Sequence, residues 1–275
     1  MKKTVLVTGV TGTIGKATAL ELARHNCRVI LLARNEEKLN QVKSEIVKLT
    51  GNNDVDIVVA DLGEPASIRK ATGELKKKYT SLHALINVAA VFKKERTVNS
   101  QGHELMFATN HLGPFVLTNE LLDLLKEGKP ARVVTVSAPS TTKIKFEDIN
   151  GKDKFSAGFL GAFGASKMMN LMFTYALARR LEGTGVTTSV MHPGLVKSNL
   201  TKDMPAFLKV IFSLMSGSPD KAAKMLSSLA IDDQYANSNG TFYKYNGKEI
   251  KSNAYSHSRD IQEKLWSVSE NALIS

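Results

Sequence analysis

The sequence predicts a single-domain α/β fold, a doubly wound parallel sheet with helices on both faces. Three observations carry that expectation. Short runs rich in β-branched residues alternate with longer stretches of helical spacing, the pattern of strands buried on both faces and joined by crossover helices. Glycines cluster where the first strand meets the first helix, at a point where the chain must turn tightly. No Pro-rich or Ser/Gly-rich linker divides the 275 residues, so one domain covers 1–275.

The strands read, in order, as TVLVT (4–8), RVILLA (28–33), DIVVA (56–60), HALINVA (83–89), ARVVTVS (131–137) and TTSVMH (187–192). Helical spacing falls between them at 13–25, 35–50, 64–79, 100–127 and 159–183; in the first of these, Ala17, Leu20, Leu22 and Ala23 make an apolar face. Parallel strands cannot be joined by tight turns, so each helix is a crossover. A ligand is then expected beyond the carboxyl ends of the strands, where the strand order reverses. After residue 192 come an apolar segment (203–217), a helix (219–232), a strand-like GTFYKY (240–245) and a closing helix (258–272).

Composition narrows the class. A hydrophobic fraction of 43% with 23% charged residues suits a globular protein with a real core. The formal net charge of +11 is spread along the chain, and its densest run, Lys76-Lys77-Lys78, suits a helix C-terminus. Without an aromatic–basic motif or zinc spacing, the charge points to a phosphorylated cofactor or an anionic membrane surface and away from nucleic acid. Cys27 is the single cysteine, so no internal disulfide forms, and the six histidines show no metal-ligand spacing. The chain runs from Met-Lys-Lys into a strand without a signal-like segment, and its longest apolar stretch, Phe207–Met215, is too short to span a bilayer. A cytoplasmic location is the expectation.

The loop VTGVTGTIGKATA carries the first functional signal. Gly9, Gly12 and Gly15 are spaced by three and lie between a strand and a helix. Such glycines let a diphosphate approach the backbone N–H groups at a helix N-terminus, with Thr11, Gly12, Thr13 and Ile14 around it. This is the dinucleotide-binding arrangement of a Rossmann-type fold. The end of the second strand then selects the cofactor. It reads LLARNEEK, with Arg34 where a carboxylate would otherwise bind the ribose 2′-hydroxyl. Arginine pairs with a 2′-phosphate, so NADP(H) is expected over NAD, and Lys16 adds positive charge nearby.

Over essentially its whole length the chain resembles the short-chain dehydrogenase/reductase family, and within it the retinol-dehydrogenase-like branch. TGVTGTIG stands for that family's TGxxxGxG, ADL (60–62) for its adenine-contacting turn, NVAA (87–90) for NNAG, FGASK (163–167) for YxxxK and HPGLVKSNL (192–200) for HPGxVxTxL. NHLGPFVLT (110–118), RVVTVSA (132–138) and the tail segments SPDKAAKMLSSLA and NGTFYKYNGKE also fit the branch. The resemblance implies cofactor contacts from Asp61, Leu62, Asn87, Ala89, Lys167, Pro193, Gly194, Val196 and Ser198. It further implies hydride transfer between NADPH and a carbonyl carbon. In such enzymes a tyrosine is the general acid/base, a lysine lowers its pKa and holds the nicotinamide ribose, a serine polarises the carbonyl, and an asparagine supports a proton relay.

Lys167 and Asn110 fill two of these four positions; Phe163 stands at the tyrosine and Ala138 at the serine. Both changes remove a hydroxyl and keep the shape. Ser137 is present, but successive strand residues point to opposite faces. Three readings are open: an active-site variant, made by mutagenesis, of an ordinary NADPH-dependent enzyme; a natural member that binds cofactor but has lost or changed its redox chemistry, down to a non-redox isomerase or cyclase; or another hydroxyl in service, with Ser140, Thr141 and Tyr175 to consider. The expected substrate is an apolar aldehyde or ketone, met by the 139–160 insertion and by a lid at about 200–217. The basic, apolar lid also suits contact with a membrane surface. Relatives of this type often pair through the two long helices before and after the fifth strand, so a homodimer is a further expectation.

Overall fold

The computed structural model of the chain describes residues 2–158, 160–194 and 218–274. Among them lies one sheet of seven parallel strands: β1 (Thr4–Thr8), β2 (Arg28–Ala33), β3 (Val55–Val59), β4 (Ala84–Asn87), β5 (Ala131–Val136), β6 (Val186–His192) and β7 (Thr241–Lys244), in the order β3-β2-β1-β4-β5-β6-β7. The strand-like GTFYKY therefore joins the sheet, paired in parallel with β6 at Ser189↔Thr241 through His192↔Lys244. The order reverses between β1 and β4, where consecutive crossovers leave in opposite directions and open a crevice above the strand ends.

Helices α1 (Thr13–Arg24), α2 (Glu36–Thr50) and the helix at Pro219–Ile231 pack on one face, around Leu22, Leu39, Ile46 and Leu226. The other face holds α3 (Pro65–Lys78) and the helices on either side of β5, around Ile68, Phe115, Leu117 and Phe173. Each strand thus buries both sides, which explains their near-continuous apolar composition.

The single helix expected over 100–127 is replaced by a segmented one. Residues 98–104 form a tight reversal: Val98 bridges Glu104, Gly102 has φ +82°, and the Asn99 carboxamide oxygen accepts from the Gln101 and His103 amides. Helix begins at α4 (Leu105–Phe107), with the Glu104 carboxylate capping the Phe107 amide at 2.9 Å. A π-helical turn, Ala108–Leu112, follows before α5 (Gly113–Glu120) and α6 (Leu122–Glu127). Short-range side-chain bonds at Asn99 and Glu104 compete with the helical periodicity and win. The helix expected at 159–183 is α7 (Ala162–Arg180); next come α8 (Pro219–Ile231) and α9 (Arg259–Asn271).

The closing helix α9 lies across one side of α5 and α7, the helices through which pairing was expected. Trp266 packs against Phe115 and Phe173 with ring centroids 4.9 and 5.9 Å away, and the Arg180 guanidinium lies 3.8 Å over the Trp266 ring. His103 Nε2 meets the Ala272 carbonyl at 2.9 Å, and His111 Nε2 meets Ser269 Oγ at 2.8 Å. Partners could reach that surface of Phe115 and Phe173 only with α9 displaced. Among the described residues no helix is long and apolar enough to cross a membrane, and no cluster of His, Cys, Asp or Glu could hold a metal.

Full burial pushes the His111 imidazole down to about 3. An unfolded histidine titrates near its ordinary value of about 6.5, so below that pH the unfolded chain binds the extra proton and stability falls as pH drops toward 3. The expected loss from this one residue between pH 7 and pH 5 is about 2 kcal/mol. Urea unfolding at the two pH values, compared with His111→Gln, measures it: the variant should show a correspondingly smaller loss.

Candidate active site

The crevice starts at the carboxyl end of β1. Thr8 ends β1, and its hydroxyl accepts from the Val88 and Ala89 amides at 2.9 and 3.1 Å, which ties β1 to the segment after β4. Gly9 follows at φ +69°; a Cβ there would lie 2.8 Å from the Ala89 Cα. Gly15 has even less room, since its Cβ would meet the Gly9 carbonyl oxygen at 2.4 Å. The Gly12 amide donates to that same oxygen at 2.9 Å and closes the turn. Gly12 is the N-cap of α1, without a side-chain cap and with no acidic residue in the first turn. Thr11 is exposed, Thr13 is partly buried, and Ile14 packs partly on the core beneath.

Arg34 is exposed just past β2 and has no acidic partner among the described residues, while the next residue, Asn35, caps α2. Lys16 is placed differently: its ammonium lies 3.0 Å from Glu45. Asp61 folds back on its own turn, with Oδ1 accepting from the Gly63 amide at 2.8 Å, and Leu62 is core. Asn87 does not face the crevice with its side chain. It is buried, Nδ2 reaches Thr118 Oγ1 at 3.3 Å, and Oδ1 has no hydrogen-bond partner. Pro193 and Gly194 follow β6, and Gly194, at φ +75°, lies under the Tyr245 ring, where a Cβ would come within 2.9 Å. Val196, Ser198 and the lid at 200–217 lie outside the described residues.

On the far side of the crevice, β5 and α7 bring Ala138, Phe163 and Lys167 together with Asn110. Ser137 Oγ donates to the Lys167 carbonyl at 2.9 Å and pins α7 to the strand, so it faces away from Ala138, as the pleat requires. Asn110 is 0% exposed and its side chain is fully engaged: Oδ1 accepts from the Val91 amide at 2.7 Å, and Nδ2 donates to the Val91 carbonyl and to Ser166 Oγ at 3.0 and 3.1 Å.

Phe163 is 3% exposed and packs edge-on against Phe92 at 5.6 Å. Lys167 is 6% exposed; its Nζ lies 5.3 Å from the Phe163 ring centroid, and burial pushes the amine down to about 8. Two of the three alternative hydroxyls are engaged elsewhere. Ser140 Oγ donates to the Gly164 carbonyl at 2.8 Å, and the Tyr175 hydroxyl pairs with Ser252 at 2.9 Å, beneath the stacked His257 ring. Thr141 is exposed.

The family model described as short chain dehydrogenase matches residues 3–208. The chain belongs to the short-chain dehydrogenase family, in its retinol-dehydrogenase-like branch. Retinol dehydrogenase 14 of Mus musculus is 37% identical over 286 residues, covering 98% of this chain and 85% of the relative. Polyprenol dehydrogenase of Homo sapiens is 36% identical over 279 residues, covering 97% and 84%. Among solved structures, an uncharacterized protein from Mycobacterium Paratuberculosis superposes with a TM-score of 0.75 at 26% identity, covering 98% of this chain and 92% of that one. As a member, the chain carries an oxidoreductase scaffold.

Sequence reasoning passed over Thr8, Ser166 and Tyr245. Thr8 had a signal, a hydroxyl closing the aliphatic run Val5-Leu6-Val7 just before the glycine turn. Ser166 and Tyr245 had none, because their partners are remote in sequence. Thr8→Val should lower stability by about 1–2 kcal/mol, since two part-buried amides lose their acceptor, whereas Thr8→Ser should restore most of it; urea unfolding reads both.

Proposed function

We propose that this chain is an NADP(H)-dependent oxidoreductase scaffold for an apolar aldehyde, ketone or alcohol, with turnover held far below the family's by Phe163 and Ala138. The observation that carries the reading is one crevice with two walls. One wall is the glycine turn at Gly9, Gly12 and Gly15, where no Cβ fits at Gly9 or Gly15; the other is the Lys167–Phe163 pair. The first wall fits a diphosphate at the uncapped start of α1, held by the backbone of Thr11, Gly12, Thr13 and Ile14. Arg34, without an acidic partner, suits a 2′-phosphate, and a carboxylate there would repel one. Asp61 and Leu62 would border the adenine, Ala89 and the Asn87 backbone the adjoining ribose, and Pro193, Gly194, Val196 and Ser198 the nicotinamide. Lys167 would hold the nicotinamide ribose.

Bound there, NADPH would supply a hydride equivalent to a carbonyl carbon. The chain's own task is to bring a proton to the carbonyl oxygen and to stabilise the charge that develops on it. Phe163 has no proton to give, and Ala138 no hydrogen bond. Loss of a positioned general acid costs about 10²–10⁴ in rate, and loss of one oxyanion donor about 10²–10³. The two do not simply add, because the groups act together. With Ser137, Ser140, Ser166 and Tyr175 bonded elsewhere, the reading in which another hydroxyl serves narrows to the exposed Thr141. The reading as a natural cofactor-binding protein without redox turnover keeps its ground, and the buried amine against a phenyl ring favours it. The names of the mouse and human relatives, for retinol and polyprenol, support an apolar partner.

The expected result with cofactor fluorescence is tight NADPH binding and slow oxidation with apolar aldehydes. Restoring Phe163→Tyr with Ala138→Ser should raise turnover by at least about 100-fold; an unchanged rate would remove redox chemistry from the proposal. Arg34→Asp should weaken NADPH by at least about tenfold, roughly 1.4 kcal/mol, and leave NADH little changed. Preference of the unaltered chain for NADH would refute the cofactor assignment.

A further inference from the structure

We propose that Lys167 condenses with an apolar aldehyde to form an imine, so that the chain captures aldehydes covalently when the nucleotide is away. The inference deepens the reading of the same crevice and rests on it for the substrate class. Among the described residues nothing pairs with the Lys167 ammonium except the face of Phe163. The nearby hydroxyls of Ser137, Ser140 and Ser166 each donate to a backbone carbonyl, and the Asn110 amide belongs to Val91 and Ser166. Phe92 closes the apolar side from behind Phe163.

An ammonium in such surroundings has lost its water and gained only a ring face in return, which favours the free base. Burial accordingly holds this amine down at about 8. Desolvation in an apolar pocket is one of the ways in which a lysine becomes a carbonyl nucleophile. Phe163 makes the difference. A tyrosine there would have its acidity raised by the lysine cation, and by reciprocity would favour the charged amine; a phenyl ring does so far less. Ala138 likewise offers no hydroxyl to hold the aldehyde oxygen in the position that reduction needs.

The chemistry balances without a further reagent. The amine lone pair attacks the carbonyl carbon and forms a C–N bond, while the π pair moves to oxygen. Both hydrogens of the neutral amine leave with that oxygen as water, and a C=N bond remains. No oxidation or reduction occurs. A nucleotide whose ribose occupies Lys167 competes with the aldehyde for the same nitrogen.

The test incubates the full chain with octanal and cyanoborohydride at pH 7, with and without saturating NADP⁺, and maps the adducts by peptide mass spectrometry. Cyanoborohydride reduces any imine to a stable secondary amine. Lys167 should acquire an octyl group faster than the exposed lysines by at least about tenfold, within the roughly hundredfold or greater advantage that its larger free-base fraction allows. NADP⁺ should suppress that adduct alone, and Phe163→Tyr should slow it severalfold without altering labelling elsewhere. Labelling confined to surface lysines overturns the proposal, and a separate measurement of NADP⁺ binding by calorimetry then shows whether the nucleotide reading survives. Labelling of Lys167 that NADP⁺ does not suppress supports the imine and overturns the placement of the ribose on that amine.

Discussion

The close approach of two backbones, at Gly9 and at Ala89, is the constraint from which the site follows. β1 and β4 are neighbours in the sheet but their crossovers leave in opposite directions, and the space between those crossovers is the crevice. Its floor holds because Thr8 satisfies two amides of the segment after β4, and because Gly9 carries no side chain to push that segment away. Gly15 extends the same logic by one turn, letting α1 start directly against the Gly9 carbonyl. Glycine is required here by lack of space, and at Gly9 by a positive φ as well.

The opposite wall is organised by hydroxyls that point inward. Ser137 holds the Lys167 carbonyl, Ser140 the Gly164 carbonyl, and Ser166 joins the Phe163 carbonyl to Asn110. They fix the first turns of α7 to β5 and to the π-helical turn. Phe163 and Ala138 belong to another category, since neither hydroxyl that the family pattern would supply is needed to hold the wall. The scaffold can therefore lose both oxygens and keep its shape, and the consequence falls on Lys167, whose surroundings become apolar without becoming crowded.

The C-terminal helix adds a coupling between stability and site. His103, Phe107, His111 and Phe115 recur every four residues and form a ladder of rings; His103 and His111 bond to the end of α9, and Trp266 closes it at Phe115. His111 and Asn110 are consecutive residues of one π-helical turn. The turn that orients Asn110 toward Val91 and Ser166 is thus held from behind by α9, and a change at the helix contact would reach the crevice through a single residue step.

Much of this was legible in the sequence. Continuous β-branched runs announced the strands within a residue or so of their ends, except at 83–89, where only Ala84–Asn87 pairs, and the glycine spacing announced the turn after β1. The i, i+4 spacing of Phe163 and Lys167 was readable locally, whereas Asn110 and Ala138 were placed beside them only by the family resemblance of NHLGPFVLT and RVVTVSA. What stayed hidden depends on remote partners. Nothing near Asn87 reveals that Thr118 draws its side chain into the core, and nothing near Lys16 reveals Glu45. The break at 98–104 in the expected helix came from side chains that outbid the helical ladder, a competition that periodicity alone does not weigh. Residue type and spacing decided by themselves which chemical groups this chain has and which two hydroxyls it lacks. Only the tertiary structure decided that the hydroxyls of Ser137, Ser140, Ser166 and Tyr175 are engaged and that the Lys167 amine is left facing a ring, because hydrogen-bond partners and burial are set by which distant segments the sheet brings together.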